Sequence, residues 1–349
     1  MTETAPLAAL TPADLATLAG IELGDARKLV SSYHRTGGLP RIAPAGVRRV
    51  ALERARAVTH TPALTVESRA ASALDPFVKY AFAAPDGARF EAVRIPLERT
   101  GRYSVCVSSQ VGCALACTFC ATGRMGLARN LEPWEIVEQI RAVRAELPAP
   151  GRVHGVVFQG MGEPLANLAA VVQAARVLSE PSALAIDGRA VTVCTSGLPT
   201  GIRALARELP AARLGWSVGS ALEQTRASLM PIERAHPLRE VLAAMGEHAA
   251  LTRQSPMWAY TMLAGVNDGD DHALALARLA HAFADTYGRR PRVSLVAYNS
   301  IGPGDPYDRS SPERESRFRD VLSAEGVAAI RRYSGGSDVA AACGQLAAG

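Results

Sequence analysis

The spacing of apolar positions changes period twice along the chain, and each change marks a different kind of element. Up to about residue 60 the spacing is helical. Thr11-Pro12 offers an N-cap and a first-turn proline ahead of Ala13–Ala19. Leu23–His34 is a second helix, closed by Gly37-Gly38. Val47–Val58 is a third and carries Arg48, Arg49, Arg54 and Arg56. From Leu64 to Pro96 the period shortens to two. Phe77–Ala83 alternates, Pro85-Asp86-Gly87 supplies a turn, and Arg89–Ile95 alternates back, which predicts a β-hairpin. After the hairpin, strand and helix spacings alternate. Strands are predicted near 103–108, 153–159, 190–195, 213–218, 257–263, 292–297 and 327–333. Helices are predicted near 133–146, 167–178, 200–207, 237–251, 271–286 and 312–325.

A β-α alternation means parallel strands joined by crossover helices. About six repeats fall short of the eight that close a barrel. The expected fold class is therefore α/β, a partial (βα)6 TIM-like barrel. A small helical domain over 1–62 and a β-hairpin extension over 63–98 precede a core over 99–349. A barrel open on one side admits a large substrate. The three N-terminal helices read equally as an RNA-handling module or as a solvated capping domain.

Composition narrows the class. At 349 residues with 48% apolar content, the chain has ample material for one large core and a small second domain. No apolar run reaches membrane-spanning length, so no membrane partner is expected. The first residues, Met-Thr-Glu-Thr-Ala-Pro, lack the basic and apolar regions of a signal peptide. A cytoplasmic enzyme is the expectation, and six cysteines in that compartment suit metal or redox work. The net charge of +5 is carried almost wholly by arginine, with lysine only at Lys28 and Lys79. Arginine suits phosphate contacts and base stacking, although genomic base composition also enriches it.

The chemistry concentrates between Cys106 and Met125, which hold four of the six cysteines. Cys113, Cys117 and Cys120 have the spacing Cys-x3-Cys-x2-Cys. Three thiolates on one loop bind three irons of a 4Fe–4S cube and leave the fourth iron open. A zinc site would need a fourth ligand, from Cys106 or a histidine, and a disulfide framework is a further alternative. The spacing, with Phe119 before the third cysteine, resembles the radical SAM superfamily. That resemblance implies S-adenosylmethionine (SAM) on the open iron.

The loops after the predicted strands fit such a site. Gly160-Met161-Gly162-Glu163-Pro164 follows the second, Cys194-Thr195-Ser196-Gly197 the third and Ser217-Val218-Gly219 the fourth. Asn299 follows the sixth. Barrel chemistry lies at these strand ends. Gly162, Glu163 and Pro164 are candidates for the SAM amino group, with Glu163 the carboxylate that pairs with the ammonium. Cys194, Thr195, Ser217, Val218 and Gly219 are candidates for the ribose and carboxylate. Asn299 has the donor and acceptor to read an adenine edge.

From roughly Phe77 onward the sequence resembles the RlmN/Cfr family of radical SAM RNA adenine methyltransferases. Four stretches carry the likeness: Val105–Cys113, Gly160–Leu165, Pro306–Ser311 and Ala341–Leu346. The third and fourth are Pro-Tyr-Asp-Arg-Ser-Ser and Ala-Ala-Cys-Gly-Gln-Leu. A cysteine seven residues before the cluster loop, paired with one near the C-terminus, is specific to that family. The resemblance implies methylation of C2 or C8 of an adenine, with 23S ribosomal RNA first and transfer RNA second as substrate. It implies that Cys343 takes a methyl from SAM and carries it to the base. Glu91 then removes a proton, and Cys106 attacks Cys343 to form a disulfide and free the product. It also implies an electron donor such as flavodoxin or ferredoxin. Two rivals stay open at this point: the same chemistry on a peptide or small molecule, and a zinc-stabilised RNA-binding protein without catalysis. The sequence departs from the family at Ser217–Ala221, where a histidine is missing, at Cys194, where serine is usual, and in the N-terminal helices.

Overall fold

The structure, a computed structural model, describes residues 4–347. Its centre is a ten-stranded sheet. In chain order the strands are β1 Thr65–Ala71, β2 Val78–Ala83, β3 Arg89–Pro96, β4 Arg102–Val107 and β5 Arg152–Phe158. They continue as β6 Val191–Thr195, β7 Arg213–Ser217, β8 Met257–Met262, β9 Arg292–Ala297 and β10 Ala329–Arg332. From β4 to β10 each strand pairs in parallel with the next. That is the partial barrel expected from the alternating pattern, and every residue of β6 is buried. Strands covered on both faces read as apolar runs, and β6 is Val-Thr-Val-Cys-Thr.

The hairpin is one part of a larger feature. β1, β2 and β3 form an antiparallel meander, and β3 pairs antiparallel with β4. The barrel sheet therefore runs without a break into the meander. β1 is mostly exposed, and its Glu67 and Arg69 place charge along the free edge, a pattern that discourages pairing with another chain.

Helices α4 Pro133–Ala145, α5 Leu168–Ser179, α6 Pro199–Glu208, α7 Leu238–Thr252, α8 Asp270–Tyr287 and α9 Pro312–Ala324 fill the crossovers. The expected helix near 167–178 is preceded by a short 3-10 turn at Pro164–Asn167, which sets the loop before it. In the core, Trp216 on β7 lies opposite Trp258 on β8, edge to face with centroids 5.1 Å apart. Phe283 of α8 packs edge-on against Trp258. Such offset geometry suits the aromatic quadrupole.

The N-terminal helices, α1 Pro12–Ala19, α2 Leu23–Thr36 and α3 Arg49–Val58, bury their own apolar cluster around Leu7, Leu15, Leu29, Tyr33 and Leu52. Trp134 of α4 inserts into it. Thr11 closes a full capping box with Asp14, and Tyr33 donates to Glu138 of α4 at 2.8 Å. The arginines in and just before α3 stay exposed, and three of them bond to groups of the module itself, while Arg49 pairs with Glu53. Arg48 pairs with Asp25, and Arg54 and Arg56 donate to the carbonyls of Gly20 and Pro40.

Candidate active site

The cysteine loop follows β4. Gln110–Cys113 pairs antiparallel with Gly126–Asn130 and holds both ends of the loop. Between Cys113 and Cys117 the backbone reverses at Ala116, whose φ is +51°. After Cys120 a single helical turn, Ala121–Arg124, packs back on the loop, and a Cβ at Gly123 would lie 2.9 Å from the Cys117 carbonyl oxygen. The Thr118 hydroxyl meets that of Tyr307 at 2.7 Å, and the Thr118 N–H donates to Leu229. These contacts tie the loop to the far wall of the mouth.

Cys113, Cys117 and Cys120 all line one cavity. Burial pushes the Cys113 thiol up to about 11 and the Cys117 thiol to about 12, and the neighbouring thiols and Glu163 add to the effect. Crowded thiols without a cation resist ionisation, and a cationic cluster would reverse that balance. Among the described residues no three His, Cys, Asp or Glu side chains converge on a point where one metal ion would sit. The three thiols lie on one cavity wall, where they could take three corners of an iron–sulfur cube.

The second motif crosses directly over the first. Gly160 approaches β4 so closely that a Cβ would lie 2.6 Å from the Val107 carbonyl oxygen. Gly162 has φ +97°, and a Cβ there would meet the Gln110 side chain at 2.5 Å. Ser108 Oγ accepts from the Met161 N–H at 2.9 Å, and Gln110 Oε1 accepts from the Glu163 N–H at 2.8 Å. The loop thus delivers Glu163 and Pro164 to the cavity wall. Glu163 is only 3% exposed and accepts from the N–H groups of Leu165 and Ser196. Burial raises its carboxyl to about 7 against the lowering effect of those hydrogen bonds.

Gly162, Cys194, Thr195 and Ser217 also line this cavity. Val218 and Gly219 do not. Val218 is fully buried, and a Cβ on Gly219 would meet Met230. Their strand end is held from behind by Arg226, which donates to the carbonyls of Ser196, Ser217 and Val218 and pairs with Glu233 at 2.7 Å. Ser220 Oγ lies 3.2 Å from Nδ1 of His272, and neither residue lines the cavity. Asn299 also stays off the wall: its amide donates to Ala297, Ser334 and the carbonyl of Cys343. It holds the C-terminal segment in place.

That segment folds back across the mouth. Asp75, between β1 and β2, accepts from the Tyr333 hydroxyl and the Gly336 N–H at 2.8 and 2.9 Å. Asp338 accepts from Ser72 and Ala73. The Gly344 and Leu346 carbonyls accept from Ala121 and Thr122 behind the cysteine loop. Cys343 is thereby set on the wall shared by the cluster cavity and an adjoining cavity that contains Cys106. All six cysteines are free thiols. Burial pushes Cys106 to about 12 and raises Cys343, while Arg332 favours both thiolates. Cys106 on β4 lies opposite Val93 on β3, and Val93 and Ile95 line the same cavity. Glu91 is two residues before Val93, on the same face of the strand. Its carboxylate pairs with Lys79 at 2.9 Å and accepts from the Ala347 N–H at 3.0 Å.

Sequence reasoning missed Gln159, Arg332 and Arg226. Gln159 lines both cavities, and its side chain touches Cys343, Cys194 and Arg332. Its position directly before Gly160 was the available signal.

Residues 107–278 match the radical SAM superfamily. A solved radical SAM methyltransferase from Sphaerobacter thermophilus superposes with a TM-score of 0.87 at 34% identity, covering 99% of this chain and 100% of that one. Fold and cysteine loop together define a radical SAM methyltransferase, which binds a 4Fe–4S cluster and SAM. A probable RNA methyltransferase of Sorangium cellulosum is 60% identical over 97% of this chain and 91% of its own length. The dual-specificity RNA methyltransferase RlmN of Syntrophobacter fumaroxidans is 41% identical over 77% of this chain and 76% of its own. The chain belongs to the RlmN-type family of radical SAM RNA methyltransferases.

Proposed function

We propose that this enzyme methylates C2 or C8 of an adenine in RNA, in the cytoplasm, through an S-methylcysteine on Cys343. Ribosomal 23S RNA is the leading substrate and transfer RNA the second. The observation that carries the reading is the meeting of Cys343 and Cys106 at one cavity, with Cys343 also facing the cluster cavity. The names of the relatives agree with an RNA substrate. Among the described residues no helix is long and apolar enough to cross a membrane.

Cys113, Cys117 and Cys120 would hold the cluster, and Gly162, Glu163, Pro164, Thr195 and Ser217 would hold SAM. When bound, these groups supply a methyl group and a 5′-deoxyadenosyl radical, with electrons from a flavodoxin- or ferredoxin-type donor. The chain's own residues perform the remaining chemistry. Cys343 accepts the methyl on sulfur; once one hydrogen of that methyl has passed to the 5′-deoxyadenosyl radical, the remaining S-methylene bonds to the electrophilic ring carbon, and the adduct gives up one electron to the iron–sulfur group that would be bound. Glu91 takes the proton from that carbon; it lines neither cavity, and what supports this role is its position on β3, two residues from the Val93 that faces Cys106. Cys106 then attacks the Cys343 sulfur. A disulfide forms, the sulfur–carbon bond breaks with its electron pair going to the base, a proton from solvent completes the methyl group, and methylated RNA leaves.

The two cysteine variants should fail differently. Cys343→Ala has no methyl carrier and should form no bond to RNA. Cys106→Ala should accept the methyl, add to the base and stop there. Denaturing gels with and without nuclease, after turnover with RNA, read the difference. A nuclease-sensitive, slow band in Cys106→Ala alone is expected. The same band in both variants, or in neither, rules the two-cysteine route out.

A further inference from the structure

Gln159, at the end of β5, is the one side chain whose hydrogen bonds join Cys343 to a cation among the described residues. Its Oε1 accepts from Arg332 Nη2 at 3.0 Å, and the Cys194 sulfur lies 3.6 Å from the same oxygen. Its Nε2 lies 3.2 Å from the Cys343 sulfur. Gln159 and Cys106 line the same second cavity. Arginine only donates hydrogen bonds, so the amide atom beside Arg332 is the oxygen and the atom beside Cys343 is the NH2.

We propose that Gln159 is a positioning residue for Cys343, its side-chain amide orienting the Cys343 sulfur while Arg332 fixes which way that amide faces. The inference rests on the reading that Cys343 and Cys106 carry the reaction. A sulfur that attacks a carbon must present a lone pair along a defined line, and a single donated hydrogen bond selects which pair stays free. The same donor favours the charged form of the sulfur. The hydrogen bonds of the Gln159 side chain run to Cys343, Cys194 and Arg332 and not to Cys106, so a substitution at 159 separates the two cysteines.

The separation gives the test. Anaerobic holoenzyme is treated with iodoacetamide in the absence of SAM, and alkylation at Cys343 and Cys106 is followed by peptide mass spectrometry. Cluster ligation protects Cys113, Cys117 and Cys120, and retained iron reports that the variants are folded. Gln159→Leu removes the donor. Gln159→Glu keeps the shape and replaces the donor with a carboxylate. Thiolate nucleophilicity partly offsets thiolate fraction, so we expect Cys343 alkylation to slow about three- to tenfold in Gln159→Leu. It should slow further in Gln159→Glu, with Cys106 within about twofold of wild type in both. A packing role predicts the opposite order, because glutamate is the isostere. If Gln159→Leu does not fold, Gln159→Glu decides alone. Unchanged Cys343 reactivity in Gln159→Glu, or equal slowing of both cysteines, overturns the proposal. A wild-type Cys343 that never takes a methyl from SAM would defeat the proposed function, while the split between the cysteines still decides the role of Gln159.

Discussion

Glu163 shows what a single residue contributes. Two backbone N–H groups reach its carboxylate, and among the described residues no lysine or arginine pairs with it. A buried carboxylate lacking a cation is a poor choice for stability and a good one for binding an ammonium group. Its folded-state value of about 7 lies above the ordinary 4.5, so the folded protein holds this proton more tightly than the unfolded chain. The group's contribution is therefore most favourable below about 4.5 and is lost as pH rises through about 7. A Glu163→Gln variant mimics the protonated form, because its neutral amide carries no charge to desolvate. In cofactor-free protein its stability advantage over wild type should be small at pH 5 and grow to on the order of 3 kcal/mol by pH 8, measured by urea unfolding. The same variant should fail to bind SAM across that range, since the amide offers the ammonium no charge. An advantage that does not change with pH would mean that Glu163 is not the titrating group.

At the scale of elements, the C-terminal segment is the part whose placement sets where the Cys343 thiol lies. It carries Cys343, and hydrogen bonds to three separate structures hold it: the β1–β2 loop, the cysteine loop and the stretch after β9. Asp75 alone accepts from Phe77, Tyr333 and Gly336. Asp75→Ala removes those acceptors, each worth about 1 kcal/mol or more, and should loosen the segment while leaving the cluster loop intact. We expect methyl transfer to Cys343 to fall at least about tenfold, the factor that about 1.4 kcal/mol represents. Iron content and SAM cleavage to 5′-deoxyadenosine should persist. Mass spectrometry of the C-terminal peptide, beside chromatography of the nucleoside, separates the two activities. Full methylation of Cys343 in this variant would show that the segment docks without Asp75.

Across the whole molecule, the N-terminal module and the barrel meet through apolar side chains, with Trp134 buried in the module's cluster and Ala183 packed against it. Trp134 belongs to α4 of the barrel yet packs in the core of the module. Gln173 of α5 adds polar contacts to Ala9 and Asp14. Removing the ring should cost about 3 kcal/mol, the lower end for a buried aromatic cut to alanine. Trp134→Ala should therefore lower the urea midpoint of the module and leave iron binding unchanged. A variant as stable as wild type would mean that the module gains nothing from docking on α4.

Much of this protein follows from local sequence. Helices and strands came out where the apolar periods put them, because period reports which side of an element is covered. The cysteine loop was legible for a similar reason: its three thiols lie within eight residues, so spacing alone brings them to one cavity wall. The motif Gly160–Pro164 was legible through its glycines, which a close crossing over β4 requires. What the tertiary structure decided were the sides of strand ends and the partners across long separations. Val218 and Gly219 share a loop with Ser217 but turn away from the cavity, and Asn299 holds the C-terminal segment. Gln159 and Arg332 are 173 positions apart, and Gln159 and Cys343 are 184 apart. No local pattern records such a pairing, because it depends on how neighbouring strands register around the barrel and on where the last residues cross its mouth.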